Sequence, residues 1–431
     1  MSFGKKPNQN SKSLSTYRWV VWGILVAIYL IVFFHRLSVG VITGELNKTF
    51  GMNATQIANL GAMYFYSYIV MQIPTGVLVD YLGPKKTVVI GSFIASIGSA
   101  TFALSQNIPM AYLGRLLVGL GVSVVFLCLL KIQTSWFPAD KFATMSGLTS
   151  FIGSMGGLLA QTPLVTLVAL IGWRNSFLSM GILTSILAIF VILFVKNSPV
   201  EMGFEEVNPI QKSTGNKESV LSQLIGVLRN PRVWFPAFAF GGVNGGFLVF
   251  TGTFGVSYMN SVYSLSKTNA ANIISVVLII SGISCLLIGG ISDRLKRRKL
   301  PMLVLSSIAV AAWSVLIFLK PSVMVMSILI SLVGITSSIG VICWSVGKEV
   351  SNPKFSGMAM SIVNVFGFIF TAVLMIFCGR LIDVNIANGL SPDLIYMRAF
   401  IPLVISAVIS LISGLLTTET RCRNIFVDRK E

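Results

Sequence analysis

Three basic side chains stand inside long apolar runs of this sequence: Arg36, Arg115 and Lys131. A charge in the middle of such a run costs at least about 2.5 kcal/mol on insertion scales, so each marks a position where charge serves a purpose. Arg36 is the sharpest case. It closes a mostly apolar run that starts near Ile28, and no acid follows it until Glu45. A guanidinium without an acidic partner is a forked ligand for a carboxylate or a phosphate. His35, the one histidine, has an unperturbed pKa near 6.5 and could exchange protons near neutrality. Adjacency turns it about 100° around a helix from Arg36. Arg115 and Lys131 share the fourth apolar run; Lys131 lies about one turn before its end, where snorkelling would satisfy it. His35, Arg115 and Lys131 are the candidates for coupling.

Uncharged polar groups able to bind a solute stand in other runs: Tyr64, Tyr68 and Gln72 in the second, Gln161 in the fifth, Asn244 in the seventh, Trp344 in the tenth and Asn364 in the eleventh. Tyr64 and Tyr68, four residues apart, share a helix face. With Arg36 these make a cavity positive on one side and neutral polar on the other, which suits a small solute with one carboxylate. Amino acids, short peptides, monocarboxylates and sugar acids all fit. Enzyme chemistry is poorly served, since the runs hold no acid pair and no nucleophile constellation. Cys128, Cys285, Cys343, Cys378 and Cys422 are scattered singly, so no disulfide, metal site or cofactor is expected.

The elements that must position these groups follow from composition. Of 431 residues, 54% are hydrophobic and 11% charged, with a mean hydropathy of +0.84, against roughly 25% charged in soluble proteins. The solvent is lipid, and the chain is read as a multi-pass membrane protein. Spans are expected at about 17–44, 55–79, 87–105, 109–135, 143–170, 174–196, 232–259, 269–292, 300–319, 322–347, 356–380 and 397–418. Each can cross a hydrocarbon core of roughly 30 Å. Twelve spans put both ends on one side, and that side carries 23 basic residues against 6 opposite. The positive-inside rule therefore predicts cytoplasmic termini in the cytoplasmic membrane, and the net charge of +18 reads as topology rather than a nucleic-acid footprint.

A polar connection at 197–230 separates two halves, 19–196 and 231–418, with tails at 1–18 and 419–431. One motif occurs in each half, at the end of its second span: Gly76, Asp80, Gly83 and Lys86 in the first, Gly289, Asp293, Arg294 and Arg298 in the second. A glycine there admits a neighbouring helix, and an Asp flanked by basic residues can pair with them and with helix C-termini. Two such clusters at equivalent positions read as a latch that breaks and reforms as two halves move, and internal repetition is a hallmark of secondary transporters.

At these residues the chain resembles the major facilitator superfamily, whose signature is a Gly-xxx-Asp-Arg/Lys-x-Gly-x-Arg/Lys loop after the second span and, more weakly, after the eighth. Tyr81 stands where the family usually has a basic residue. Arg115, Gly119 and Gly121 are similar to its Arg-xxx-Gly-x-Gly motif, Trp136-Phe137-Pro138 closes the fourth span, and Gly172-Trp173-Arg174 opens the sixth. The resemblance covers the whole chain and implies an all-α membrane protein of twelve helices in two pseudo-symmetric six-helix bundles around a central cavity.

Within the superfamily the chain is most similar to the organic-anion and sugar-phosphate-permease-like branches. These carry a substrate-binding arginine in the first helix after an Arg-Trp pair, as Arg36 follows Arg18-Trp19. The organophosphate exchangers add a second arginine in helix 7, but no basic residue follows Arg232 here, which disfavours a phosphate ester. The proton-coupled organic-anion symporters place an Asp before the first-helix arginine and a Glu in helix 4; His35 and Val122 stand there instead. The Gly-Pro pattern of the drug antiporters is not met by Gly156, Gly157 and Pro163.

The expectation is a monomeric secondary transporter that moves a small anionic or zwitterionic metabolite by alternating access, as import, with protons as a candidate coupling ion. A uniporter without ion coupling, or a receptor with this fold, is the alternative. Gly241, Gly242, Gly245 and Gly246 interrupt the seventh span and predict a local bend that acts as a gate.

Overall fold

The computed structural model describes residues 9–138, 141–207 and 220–426. Parts of the expected tails and connection, at 1–8, 208–219 and 427–431, lie outside the described residues. The first span is α1 (Gln9–Leu37) and α2 (Val39–Phe50), broken at Ser38. The second is α3 (Ala54–Leu82), bent near Pro74, and the third is α4 (Pro84–Ala103). The fourth is α5 (Ile108–Ser123) with α6 (Val125–Trp136). The fifth is α7 (Phe142–Leu159) with the start of α8 (Thr162–Phe194), and the sixth is the rest of α8. Between them Gly172 takes a φ of 79°, a left-handed backbone that only glycine adopts freely, and turns the chain back. The connection carries the short α9 (Val220–Leu228).

The seventh span is α10 (Pro231–Val249), a π-helical turn at Phe250–Phe254 and α11 (Gly255–Tyr263). The others are α12 (Lys267–Leu295), α13 (Lys299–Phe318), α14 (Val323–Thr336) with α15 (Ile339–Glu349), α16 (Ser356–Ala387) and α17 (Pro392–Leu416). Among the described residues ten helices are long and apolar enough to cross a membrane, eleven with the bent α3. Dividing α8 at Gly172 gives the expected twelve spans.

Close approach rests on small residues. A Cβ built on Gly156 would lie 2.0 Å from the Leu30 carbonyl oxygen, so α7 meets α1 backbone to backbone. Gly91 and Gly121 bring α4 and α5 together in the same way. The glycines of α10 also serve packing: Gly241 receives the Phe370 ring of α16, Gly245 faces Leu374 and the Phe370 Cβ, and Gly242 abuts the Ser406 carbonyl of α17. The irregular turn lies past them, at Phe250–Phe254, where the backbone leaves α geometry and Gly252 packs against Gly40 of α2. The interruption of the seventh span thus stands beyond the glycine cluster that predicted it.

The halves meet along α3 and α16, which run antiparallel. Ala54 and Ala58 face Gly379, Gly61 faces Met375, and Phe65 and Tyr68 face Phe368. Further ties gather at the end away from the termini, called here the far end. Thr43 bonds Ser257 at 2.9 Å, Lys267 reaches Glu45 at 3.2 Å, and Thr162 bonds Asn272 at 2.6 Å, each across the two halves. Toward the terminal end, Gly76 on α3 and Gly357 on α16 have nothing within 4 Å of the position a Cβ would take. The two bundles are thus joined at the far end and diverge toward the termini.

Candidate solute site

Arg36 leaves α1 one residue before its end, and its guanidinium carbon lies over three aromatic rings. The centroids are 4.6 Å away for Phe33, 5.5 Å for Tyr68 and 5.3 Å for Phe368. Phe33 is three residues back on the same helix, the direction in which helical side chains lean. Tyr68 comes from α3, and Phe368 comes from α16 in the other half. The Arg36 Nε is buried without a hydrogen-bond partner. The ion pairs seen among the described residues join other groups, at the two ends of the bundle.

Tyr64 and Tyr68 stack at 6.1 Å, and the buried Tyr64 hydroxyl donates to the Val32 carbonyl at 3.3 Å. The structure therefore brings Arg36, Tyr64 and Tyr68 together. Gln72 and Asn364, both half-buried, stand one turn beyond Tyr68 and Phe368 toward the terminal end, where α3 and α16 begin to part. Asn244 is half-buried on α10. Trp344 meets Phe240 edge-on at 5.5 Å, and its indole Nε1 is buried without a partner. Gln161 sits at the break between α7 and α8, fully buried, with neither amide atom bonded. Buried polar atoms are normally satisfied, yet Arg36, Trp344 and Gln161 each keep an unpartnered one, as do both ring nitrogens of His35 and the Nε and Nη1 of Arg115.

The coupling candidates lie elsewhere. Arg115, 1% exposed, donates to the His35 carbonyl at 2.8 Å and lies over the Tyr64 ring at 5.5 Å. The His35 ring is fully buried against Phe34 and Phe177, at 5.5 and 6.3 Å, so it faces α8 rather than the rings around Arg36. Lys131 stands at the terminal end and pairs with Asp80 at 3.2 Å.

The two motif copies differ. In the first, the partner of Asp80 is thus Lys131 of α6, Gly83 carries a φ of 82° ahead of α4, and Lys86 is exposed. In the second, Arg298 is buried and binds Asp293 at 2.7 Å, Glu349 at 2.9 Å and the Ser292 hydroxyl at 2.9 Å, while Arg294 is exposed. A Cβ built on Gly289 would lie 3.5 Å from a Val341 methyl of its own half, an ordinary contact.

Sequence reasoning missed Phe33, Phe368 and Asp383. The first two had a readable signal: Phe33 is three residues before Arg36, and Phe368 is four after Asn364, each on a shared helix face. Asp383 had none, because its partners Ala54 and Thr55 are 329 and 328 residues away.

A family model described as Major Facilitator Superfamily matches residues 24–375. Among curated proteins, the chain is 24% identical to an uncharacterized transporter of Bacillus subtilis, covering 85% of this chain and 88% of that one. It is 22% identical to a probable L-galactonate transporter of Escherichia coli, over 87% of this chain and 85% of that one. A hexuronate transporter of Bacillus subtilis is 29% identical over 56% of each. Among solved structures, a bacterial homolog of the human lysosomal transporter Spinster, in an inward-facing and unoccupied conformation, superposes with a TM-score of 0.76 at 17% identity, over 99% of both chains. A D-xylose-proton symporter superposes with a TM-score of 0.72 at 15% identity, over 95% of this chain and all of that one.

Proposed function

The chain belongs to the major facilitator superfamily, whose members similar to it are transporters rather than enzymes, and from that premise we propose that it imports a small organic carboxylate by alternating access. The observation that carries the reading is Arg36, a buried guanidinium with no acidic partner, held among aromatic rings near the plane where the halves meet. In low dielectric a carboxylate supplies the missing counter-charge, with two parallel hydrogen bonds. Tyr64 and Tyr68 flank that position, and Gln72, Gln161, Asn244, Trp344 and Asn364 supply neutral hydrogen bonds for the rest of the solute. Relatives named as transporters of galactonate, hexuronate and galacturonate favour a sugar acid.

The bundles are assigned to 19–196 and 231–418, with 197–230 as the connection. The basic residues that crowd the terminal end favour cytoplasmic termini, so the far end faces outward and the bundle stands open to the cytoplasm. Asp80 with Lys131, and Asp293 with Arg298 and Glu349, are then cytoplasmic clusters of a latch that engages in the opposite state. A uniport mechanism is favoured over proton coupling through His35, because that ring packs against Phe177.

The test is uptake into proteoliposomes of labelled glucuronate, galacturonate, gluconate and amino acids, with and without a pH gradient, for the wild type and Arg36→Ala. Entry of a carboxylate that Arg36→Ala abolishes supports the reading. Uptake untouched by Arg36→Ala removes its main support. A gradient requirement refutes uniport.

A further inference from the structure

Arg36 is touched by both halves. Phe33 and Tyr68 belong to the first, whereas Phe368 reaches from α16 of the second and lies 4.7 Å from Tyr68 and 5.8 Å from Phe65, centroid to centroid. The neighbour of Phe368 fixes it in place. Gly367 and Gly340 grip the Phe240 ring from two sides, so closely that a Cβ would stand 2.4 Å from one ring carbon and 2.6 Å from another. Phe240 in turn meets Trp344. Phe368 is therefore the last side chain of a packed column through α10, α15 and α16, and that column ends on the guanidinium of Arg36. The contacts of Phe368 with Phe65 and Tyr68 lie on the far-end side of Gly76 and Gly357, two glycines with nothing within 4 Å of the position a Cβ would take.

We infer that Phe368 is a positioning residue that ties the second half to Arg36 through a cation–π contact, and that the solute loosens this tie. The attraction of a ring face depends on the positive charge above it. A carboxylate on the guanidinium neutralises the pair and weakens the hold of the Phe368 ring, so the loaded carrier releases the α3 and α16 seam more readily than the empty one. The second step rests on the proposed role of Arg36 as the solute anchor. The first does not.

The experiment uses the full chain in proteoliposomes, with native cysteines replaced and spin labels at Gln106→Cys and Ser391→Cys, two exposed positions on far-end loops of opposite halves. Without solute, Phe368→Leu shifts the inter-label distances toward a far-end-open population by about 2- to 30-fold, the span of cation–π strengths. Phe368→Tyr keeps the ring and leaves the distances as in the wild type. Arg36→Ala produces a similar shift, and the double variant goes no further, because both act through one contact. Unchanged distances in Phe368→Leu, or effects of the two substitutions that add, overturn the proposal. Glucuronate binding, read by calorimetry, separates it from the solute reading. If Arg36→Ala binds glucuronate as the wild type does, the solute anchor fails and the solute-free distances still decide the tie. If binding is lost while Phe368→Leu leaves the distances unmoved, the tie fails alone.

Discussion

The carboxylate of Asp383 holds Thr55 twice, accepting its backbone N–H at 2.8 Å and its hydroxyl at 2.5 Å, and it takes the N–H of Ala54 at 2.8 Å as well. The side chain of Asn53 accepts from Gln56, and its carbonyl accepts from Ile57. All four N–H groups that open α3 are thus satisfied, two of them by a residue of the other half. An anion at a helix N-terminus is also favoured by the helix dipole. This cap is both a local stabiliser and a bolt between the bundles at the far end.

Replacing Asp383 with Asn removes the charge and one of the acceptor oxygens while keeping the shape. Hydrogen bonds to charged groups contribute about 1.5–3 kcal/mol, so Asp383→Asn is expected to weaken far-end closure by an energy of that order. Labelling of a far-end cysteine by a membrane-impermeant maleimide would rise, with the protein still folded and monodisperse. Labelling equal to the wild type would mean that the bolt carries no free energy between states.

At Arg36, lysine keeps the charge but loses the planar fork and the large face that the aromatic rings cover. Arg36→Lys is expected to raise the KM for a transported carboxylate at least about tenfold, the cost of one charge-assisted bond, with a smaller change in maximal rate. Equal KM values in the two proteins would show that a point charge suffices and that the fork has no role.

The glycines separate packing from switching. Gly156→Ala drives a methyl to within 2.0 Å of the Leu30 carbonyl, a backbone atom that cannot move aside, and overpacking of this kind costs typically about 1–3 kcal/mol. Its melting temperature in detergent should fall. Gly76→Ala meets nothing within 4 Å and should leave the melting temperature alone. If Gly76 takes part in a latch of the opposite state, its flux falls all the same. Normal flux in Gly76→Ala would remove that glycine from the latch.

Much of this was legible in the sequence because a bilayer leaves few choices. Apolar run length marked the spans, and the cost of a charge inside such a run marked Arg36, Arg115 and Lys131 among 32 basic residues. What stayed hidden was pairing between distant helices. Nothing near Lys131 announces Asp80 as its partner, and nothing near Asp383 announces Thr55, since both contacts depend on how two bundles dock. The glycines of α10 misled for a related reason: the same residue type serves a bend or a close approach, and only the facing Phe370 and Ser406 decide between them.

The C-terminal segment offers a pH test outside the membrane. Burial would raise the pKa of Glu419, but the backbone N–H groups of Arg298, Arg421, Lys299 and Thr420 outweigh it and hold the carboxyl below its ordinary value of 4.5. Two of those donors open α13, at 2.8 and 3.0 Å, and the next residue, Thr420, bonds Glu349 beside Arg298. A group whose pKa is lowered by folding stabilises the fold fully above its unfolded pKa, and that contribution disappears as the pH falls through the lowered value. Glu419→Gln should therefore melt at a lower temperature than the wild type at pH 7. The gap should hold down to the ordinary carboxylate range and close below it, as the wild-type carboxyl takes up its proton. A gap that stays constant across the acid range would show that the Glu419 side chain stabilises this corner by shape rather than by charge.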